Sequence, residues 1–422
     1  MIAAHYRPII TICGTTGVGK SKLAVDLALH LQRSGHKLGW KGAKIINADS
    51  MQVYKGLDIL TNKHPEAERY GIPHLLLGFK DPGEQYVVNE WVQDALKLIN
   101  EMHENNEVPI IVGGTSYWIQ HLIFPNRLVS NEPKLKEHKR HQAWSPELEQ
   151  SINALPQDLR SLLDDLPSEA PSAKVDPDAA FQLHKLLSLL DPEISQRWHW
   201  KDTRKVLRSL EIMVETGKPG SSIIHEQSTR STAEIEPRFR TLCFWLYADN
   251  ASLHPRLDAR VDTMIKDGLL DEVKILRNLC NANKSVDYTL GIYQSIGYRE
   301  FCNYLDSPSD AYYKEAVERM KVSTRQYAKR QVSWLRNKLI PAAQVASAST
   351  PDIIPFYLLD ATALGEEWTK NVEVPALKIQ DAFLAQQDLP EAKSLSETAT
   401  NMLNVKCKDV TQERDEYAIS AP

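Results

Sequence analysis

The stretch GTTGVGKS at residues 14–21 decides the fold. It matches the phosphate-binding pattern G-x-x-x-x-G-K-[ST] at every fixed position. The apolar, β-branched run PIITIC precedes it at 8–13, and a helical pattern with Leu23, Leu27 and Leu31 on one face follows. Strand, loop and helix in this order are the context that the motif requires. An incidental glycine turn would lack this context, so the stretch predicts a loop that binds a diphosphate or triphosphate.

The residue types of this loop explain how it would hold phosphate. Glycines allow backbone N–H groups to converge on phosphate oxygens, and the N-terminus of the following helix adds positive potential. Lys20 supplies a point charge, and the Ser21 hydroxyl is a ligand for Mg²⁺, the cofactor that the motif implies. The predicted diphosphate-binding residues are Gly14, Thr15, Thr16, Gly17, Val18, Gly19, Lys20 and Ser21.

Strand and helix patterns alternate after the loop. Runs at 43–47, 108–112 and 240–247 have strand character, and 86–104 has helical spacing. This alternation predicts an α/β fold, a P-loop parallel sheet flanked by helices, with its site at the carboxyl ends of the strands. We divide the chain into a first part of the catalytic core (1–129), a helical insertion (130–200), a second part of the core with basic helices (201–340), a terminal core segment (341–370) and a flexible acidic tail (371–422).

Composition limits the function classes. The chain has 422 residues, of which 42% are hydrophobic and 25% charged, so it is neither collagen-like nor wholly disordered. It has no apolar run of about 18 residues, which excludes a transmembrane helix and a membrane partner, and no secretory signal is visible. Five scattered cysteines without a CxxC pair favour a reducing compartment, with the cytoplasm first and the mitochondrion or nucleus as further sites. The net charge of −5 shows that the molecule as a whole is not a basic nucleic-acid binder.

Two further motifs follow predicted strands. Asp49 comes directly after the run at 43–47, and Gly113-Gly114-Thr115 follows the run at 108–112. A carboxylate at this edge of the sheet faces the same crevice as the phosphate loop, where it serves as a general base or orients a nucleophile. Helix capping by Asp49 is equally consistent with the spacing. A tight turn is the simpler interpretation of the two glycines, although they also permit a ligand to approach the backbone closely.

Positive charge is concentrated at 318–340. This stretch contains seven Lys or Arg residues against one acid, with Tyr327 and Trp334 among them. A basic helical face with aromatic residues suits a nucleic-acid backbone. The alternative is an ordinary solvated helix face, which usually mixes both signs of charge. From charge we predict phosphate contacts for Arg325, Lys329 and Arg330.

Taken together, these motifs resemble the tRNA dimethylallyltransferases, also called tRNA isopentenyltransferases, and most closely their eukaryotic branch. The resemblance covers residues 8–340, more weakly to about 370. It is carried by GTTGVGKS (14–21), INADSMQVY (46–54), DILTNKHP (58–65), IPHLLLG (72–78), IIVGGTSYW (110–118), QSIGYREF (294–301) and TRQYAKRQVSWLR (324–336). The chain departs from the eukaryotic pattern because its last part has Cys407 and no paired Cys or His residues, so a C-terminal zinc finger is not expected.

The resemblance implies a substrate pair and a set of roles. The donor is dimethylallyl diphosphate, and the acceptor is N6 of the adenosine 3′ of the anticodon in the tRNA anticodon loop. The implied catalytic residues are Lys20, Asp49, Thr115 and Arg260, with Arg256 as a helper at the diphosphate. The segments that match tRNA-contacting segments of the family comprise Asp49, Ser50, Met51, Gln52, Arg204, Lys205, Val206, Leu207, Arg208, Gln294, Ser295, Ile296, Gly297, Tyr298 and Arg299. A monomer is expected.

Three alternatives share some of these features. A P-loop kinase or nucleoside triphosphatase would turn over ATP and ignore tRNA, but no apolar run ending in Asp offers a second magnesium-binding motif. An RNA-binding protein without activity would tolerate the loss of Lys20 or Asp49, and both are present. An adenylate isopentenyltransferase would use the same donor and modify free AMP or ADP. The helical insertion and the basic segment 318–340 favour a tRNA acceptor.

Overall fold

A computed structural model describes residues 6–125, 143–229, 236–282 and 291–405 of the chain. The residues divide into two compact units. The first combines the chain up to Pro125 with Ile235–Lys406, and the second lies within Asn126–Glu234. Within the described ranges no helix is both long enough and apolar enough to cross a membrane.

A six-stranded parallel sheet forms the centre of the first unit. Its strands are β1 (Pro8–Gly14), β2 (Gly42–Asn47), β3 (His74–Leu75), β4 (Glu107–Val112), β5 (Arg240–Tyr247) and β6 (Phe356–Asp360). The spatial order is β3-β2-β4-β1-β5-β6. In β1, Ile10 is level with Ile110 of β4 on one side and with Leu242 of β5 on the other. Strands buried on both faces read as nearly continuous apolar runs, which is why the sequence revealed β1, β2, β4 and β5.

Helices cover the sheet and continue beyond it. Those of the first unit are α1 (Lys20–Ser34), α2 (Val88–Glu104), α3 (Ser116–Ile123), α10 (Asn250–Lys266), α11 (Leu269–Ala282), α12 (Tyr298–Asp306), α13 (Asp310–Trp334), α14 (Ile340–Ser349), α15 (Glu366–Trp368), α16 (Val374–Leu384) and α17 (Glu397–Leu403). A π-helical turn, Leu335–Leu339, joins α13 to α14. The predicted α/β fold with a parallel sheet is confirmed.

The second unit is helical, as predicted, but its boundaries differ. It contains α4 (Pro146–Asn153), α5 (Gln157–Asp164), α6 (Pro177–Leu190), α7 (Pro192–Ser195), α8 (Thr203–Thr216) and α9 (Gly220–Thr229). The predicted insertion ended at 200, whereas α8 buries Val206, Leu210 and Met213 in the core of this unit. The second part of the sheet unit therefore begins near Ile235. The start of the predicted insertion, 130–142, lies outside the described residues.

The predicted flexible tail from 371 is wrong for residues 371–405. Val372, Ala376, Ile379 and Phe383 are buried in the same apolar cluster as α1 and the sheet. Arg240 at the start of β5 donates to the backbone oxygen of Phe383 at 2.7 Å. The acidic composition of the region concealed the helical spacing of these four residues, which places them on one face. Residues 406–422 of the predicted tail lie outside the described ranges.

Candidate active site

The order of the strands places three loops at one edge of the sheet. Strand β1 lies between β4 and β5 in the sheet. The chain runs from β1 to β2 toward one edge of the sheet and from β5 to β6 toward the other edge, so the direction of the connections changes beside β1. In open α/β sheets, ligands bind beyond the carboxyl ends of the strands at such a position. The phosphate loop (residues 14–21) follows β1, Asp49 follows β2, and the acceptor loop (Gly113–Ser116) follows β4. The three predicted motifs therefore belong to the same edge.

Two glycines of the phosphate loop are required by their surroundings. A Cβ on Gly14, whose φ is 140°, would lie 2.3 Å from the backbone oxygen of Leu246. Gly19 has φ of 90°, and a Cβ there would lie 3.1 Å from the Trp368 ring. The indole nitrogen of Trp368 also donates to the backbone oxygen of Val18 at 3.4 Å. The loop is therefore packed against β5 and against α15.

Lys20 lies at the N-terminus of α1 within a partly buried cluster of charges. Its Nζ donates to the backbone oxygen of Thr15 at 2.7 Å. Burial lowers the pKa of Lys20 to about 8; the Asp49 carboxylate opposes this shift and the Arg260 guanidinium adds to it. An ammonium group that has lost much of its hydration gains more from an anionic ligand than an exposed one does. The arrangement suits a diphosphate.

Asp49 is oriented by its neighbours in the chain. Its Oδ1 accepts a hydrogen bond from the Met51 backbone at 3.0 Å, and the side chain of Asn47 accepts one from the backbone of Asp49 at 3.2 Å. No described helix begins at this point, so Asp49 forms a local turn and does not cap a helix. Burial raises the pKa of Asp49, while Lys20 and Arg260 oppose the shift. A carboxylate with a raised pKa is a better proton acceptor than an exposed one.

The acceptor loop packs directly against the segment that carries Asp49. A Cβ on Gly113 would lie 2.1 Å from the backbone oxygen of Ala48. Thr115 donates its backbone N–H to the same oxygen at 3.0 Å, and its Oγ1 accepts from the Ser50 backbone at 3.1 Å. Gly113 therefore allows the backbone of the acceptor loop to approach the backbone at Ala48 closely. This close approach places Thr115 next to Asp49.

Arg260 reaches the phosphate loop from α10. Its Nη1 donates to the hydroxyl of Thr16 at 2.7 Å. Burial lowers the pKa of Arg260 to about 10, with Asp49 opposing the shift. The structure thus brings Lys20, Asp49, Thr115 and Arg260 together, although they are separated by up to 240 positions in the sequence.

Two of the predicted phosphate-contacting arginines are engaged elsewhere. Arg256 donates through both terminal nitrogens to the backbone oxygens of Ala361 and Thr362. This contact joins α10 to the segment after β6, so the geometry does not support the predicted contact with diphosphate. Arg325 forms an ion pair with Asp258 of α10, so the predicted phosphate contact is not supported for it either. The sequence shows an excess of basic residues on α13, but it does not show which acids of α10 neutralise them.

Lys329 and Arg330 have a different environment on the same helix. Both are exposed, and neither forms an ion pair within the described part of the chain. The Arg330 guanidinium lies over the ring of Tyr327, 5.9 Å from its centroid. Both side chains are therefore accessible to a polyanion, and the contact itself stays a prediction.

The segment 294–299 divides between surface and core. Ser295, Gly297 and Tyr298 are buried, Gln294 and Ile296 are partly buried, and Arg299 is exposed. The predicted contact with tRNA suits Arg299 and does not suit the buried members.

In the segment 49–52, the amide of Gln52 donates to the backbone oxygens of Thr61 and Asn62 at 3.1 and 3.0 Å. Ser50 and Met51 are partly exposed.

The predicted contacts on α8 belong to the helical unit and divide in the same way. Val206 and Leu207 are buried in the core of that unit, so they are wrong as predicted tRNA contacts. Arg208 forms ion pairs with Glu211 and Glu215 of its own helix. Arg204 is exposed, and the ammonium group of Lys205 lies over the Trp198 ring. Only residues on the exposed face of a helix can contact a partner. The spacing of the residues in the sequence did not distinguish the exposed members of this segment from the buried ones.

Ser21 is partly buried at the first turn of α1, where its hydroxyl would meet a metal bound to phosphate. No group of three His, Cys, Asp or Glu residues in the described ranges could hold a metal ion. Mg²⁺ usually retains several waters and takes few protein ligands when it is bound with a phosphate substrate. A single hydroxyl therefore fits a Mg²⁺ that enters with the diphosphate.

Three residues of this site had not been assigned a role there from the sequence. Gln331 lies in the motif TRQYAKRQVSWLR, and its side-chain amide contacts the phosphate loop. The phenol of Tyr327 lies close to the side chains of Asp49, Thr115 and Gln331. Trp368 comes from a segment that carried no motif. The helical period places the first two residues on one face of α13, because they lie four positions apart, but it does not show what that face contacts.

Comparisons with known proteins show what the chain and its fold are similar to. The IPP transferase family matches residues 52–338. A tRNA dimethylallyltransferase of Schizosaccharomyces pombe is 38% identical over 368 residues, which is 87% of this chain and 76% of that protein. One from Saccharomyces cerevisiae is 35% identical, covering 92% and 78%. A solved eukaryotic dimethylallyltransferase acting on tRNA has a TM-score of 0.70 and 33% identity, covering 94% of this chain and 84% of that one.

Proposed function

This chain belongs to the tRNA dimethylallyltransferase family, and from this membership we propose how its own residues carry out the reaction. It is a prenyltransferase. The proposed donor is dimethylallyl diphosphate, and the proposed acceptor is N6 of the adenosine immediately 3′ of the anticodon in tRNA. One observation carries the proposal: a carboxylate, Asp49, lies in the same partly buried charge cluster as Lys20 and Arg260 of the diphosphate site.

At the donor side, the bond between the allylic carbon and the diphosphate oxygen breaks. Negative charge then increases on the leaving diphosphate. Backbone N–H groups of the phosphate loop, together with Lys20 and Arg260, are placed to stabilise that charge in a partly buried site. Mg²⁺, held by Ser21 and the diphosphate, would supply further positive charge when bound.

At the acceptor side, the exocyclic amine of adenine attacks the allylic carbon. This amine is a weak nucleophile, because its lone pair is delocalised into the ring. As the new C–N bond forms, N6 loses a proton, which Asp49 accepts as general base. Thr115, held beside Ser50 and Asp49, is suited to orient the amine through its hydroxyl.

The target base must leave the stack of the anticodon loop to reach a site at the edge of a sheet. Enzymes that modify a base commonly extrude it into a pocket. Exposed cations at Lys329 and Arg330 lie on the same helix as Tyr327 and Gln331, which face the site. We propose that Lys329 and Arg330 bind the phosphates of the anticodon loop, with Arg204 and Arg299 as further contacts.

Replacing Arg330 with glutamine is expected to weaken tRNA binding and to reduce the slope of log K against log[salt] by about one. The reason is that one fewer counterion is released when one phosphate contact is lost. Filter binding at several salt concentrations measures both quantities. Arg319→Gln is the matched control, because Arg319 is an exposed arginine of the same helix that pairs with Glu315. Equal slopes in the two variants and the wild type would contradict the assignment.

The transfer reaction itself is tested with radiolabelled dimethylallyl diphosphate, Mg²⁺ and either unmodified tRNA or AMP. Label in tRNA, placed on the adenosine 3′ of the anticodon by nuclease mapping, supports the proposal. Label in AMP alone would assign the chain to adenylate prenylation. ATP turnover without label in either acceptor would contradict prenyl transfer.

We further propose that the protein acts as a monomer in a reducing compartment, with the cytoplasm as the first choice. The described cysteines, Cys13, Cys243, Cys280 and Cys302, are all free thiols, which is usual for proteins of reducing compartments.

A further inference from the structure

Gln331 is a buried glutamine of α13 whose side chain joins two loops of the site. Its Oε1 accepts a hydrogen bond from the backbone N–H of Thr16 at 3.1 Å. Its Nε2 donates to the backbone oxygen of Gly114 at 3.0 Å. The residue is only 5% exposed. One amide thus spans from the phosphate loop to the acceptor loop.

The space around this amide is closely filled. A Cβ on Gly114 would lie 2.5 Å from Nε2 of Gln331 and 3.3 Å from Oδ2 of Asp49. The amide and the carboxylate therefore both occupy the space that a side chain at position 114 would need. A shift of the amide would be transmitted to the backbone next to Asp49, because interiors this dense leave no void to absorb it.

The helix that carries Gln331 is anchored independently. Arg325 pairs with Asp258, and Lys321 Nζ lies 2.7 Å from Oδ1 of Asp262, so two ion pairs join α13 to α10. Helix α10 in turn supplies the arginine that donates to the Thr16 hydroxyl. Thr16 is consequently held at its backbone by α13 and at its side chain by α10.

A glutamine suits this position for a chemical reason. The two partners are a backbone N–H and a backbone carbonyl, and a primary amide offers one acceptor and one donor group to satisfy both. An ionised glutamate would lack the donor, and lysine would lack the acceptor. Leaving a buried backbone group unpaired is costly.

We propose that Gln331 is a positioning residue that sets the separation between the bound diphosphate and the pair formed by Asp49 and Thr115. In this role Gln331 acts through the two loops rather than by contact with either substrate. It holds the phosphate loop and the acceptor loop in the register that aligns the allylic carbon with the acceptor nitrogen. This inference rests on the proposed function, because it assigns the two loops to donor and acceptor.

The test compares Gln331→Met with Gln326→Met, a substitution of an exposed glutamine on the same helix. Methionine has nearly the shape of glutamine and removes both hydrogen bonds. With both substrates saturating, we expect the single-turnover rate of Gln331→Met to fall about 10²-fold, the loss associated with a misplacement of about 1 Å. The KM for tRNA should stay close to that of the wild type, and Gln326→Met should transfer at the wild-type rate. The Tm of Gln331→Met should fall by a few degrees, because two buried backbone groups lose their partner.

Each other outcome decides against the proposal. A rate within threefold of the wild type, or a loss explained by the unfolded fraction, would overturn it. A rise in the KM for tRNA at unchanged rate would make Gln331 an RNA contact. If Gln331→Met does not fold, Gln331→Asn is used, because it keeps the amide but is one methylene too short to reach both loops. A folded Asn variant with the wild-type rate overturns the proposal.

Failure of the proposed function is recognised separately, since the wild-type protein would then transfer nothing to tRNA. In that case calorimetric binding of inorganic pyrophosphate tests the anchoring of the phosphate loop. Gln331→Met is expected to bind pyrophosphate at least threefold more weakly than Gln326→Met, because Thr16 loses one of its two anchors. Equal affinities would overturn the role of Gln331.

Discussion

Asp49→Asn should reduce the rate of dimethylallyl transfer to tRNA by about 10²–10⁴-fold, the range for loss of a general base. Asparagine retains the shape and the acceptor oxygen that binds the Met51 backbone, so the fold should be kept. The rate is measured in single turnover with both substrates saturating. The control is Asp81→Asn, at an exposed carboxylate paired with Lys55.

The pH dependence gives a second signature of the same residue. Burial raises the pKa of Asp49, so the base becomes protonated, and the rate falls, at a higher pH than for an exposed aspartate. The acidic limb of the rate profile should therefore be present in the wild type and in Asp81→Asn and absent in Asp49→Asn. Near-normal turnover in Asp49→Asn, or an unchanged limb, would show that another group takes the proton.

Lys20→Met is the change with the second-largest expected effect. Removing one preorganised positive group from a site of charge development costs about 10²–10³-fold in rate, and here it should also weaken donor binding. Because the pKa of Lys20 is lowered to about 8, the ammonium form is lost as the pH rises through that value. Calorimetry between pH 7 and 9.5 should show wild-type affinity for dimethylallyl diphosphate falling above about pH 8 and little change in Lys20→Met.

Lys22→Met is the matched control for this experiment. Lys22 lies on the same helix, more than half of its side chain is exposed, and it pairs with Asp26 and Glu373. Its removal should leave affinity, rate and pH dependence near those of the wild type. If both variants lose affinity equally, the effect comes from the general charge of the helix, and the specific role of Lys20 fails.

The sequence predicted those parts of the site whose residues lie close, along the chain, to the strand that positions them. The phosphate loop and Asp49 were identified because each lies within a few positions of the strand that places it. Gln331, by contrast, contacts a residue 315 positions earlier in the chain. No local pattern encodes which face of α13 meets the phosphate loop, although the motif around it is part of the family resemblance.

The errors have the same origin. Arg325 was predicted to contact phosphate because charge was counted along α13 alone, and the pairing acid Asp258 lies on another helix. Val206 and Leu207 were predicted to contact tRNA because a whole segment was carried over, whereas their burial depends on the helices packed around α8. Residues 372–384 were placed in a tail because average composition was weighed above the spacing of their apolar side chains.

The pairing of β1 with β5 has a consequence for synthesis on the ribosome. Thr11 of β1 is level with Cys243 of β5, 232 positions later, and the helical unit lies between them in the chain. When the first 125 residues have emerged, one edge of the central strand still lacks its partner. Exposed strand edges can pair with other chains, and domains generally fold as units during translation. The nascent protein therefore has its greatest exposure to aggregation while the helical unit is being made, and chaperone binding should be concentrated in that interval.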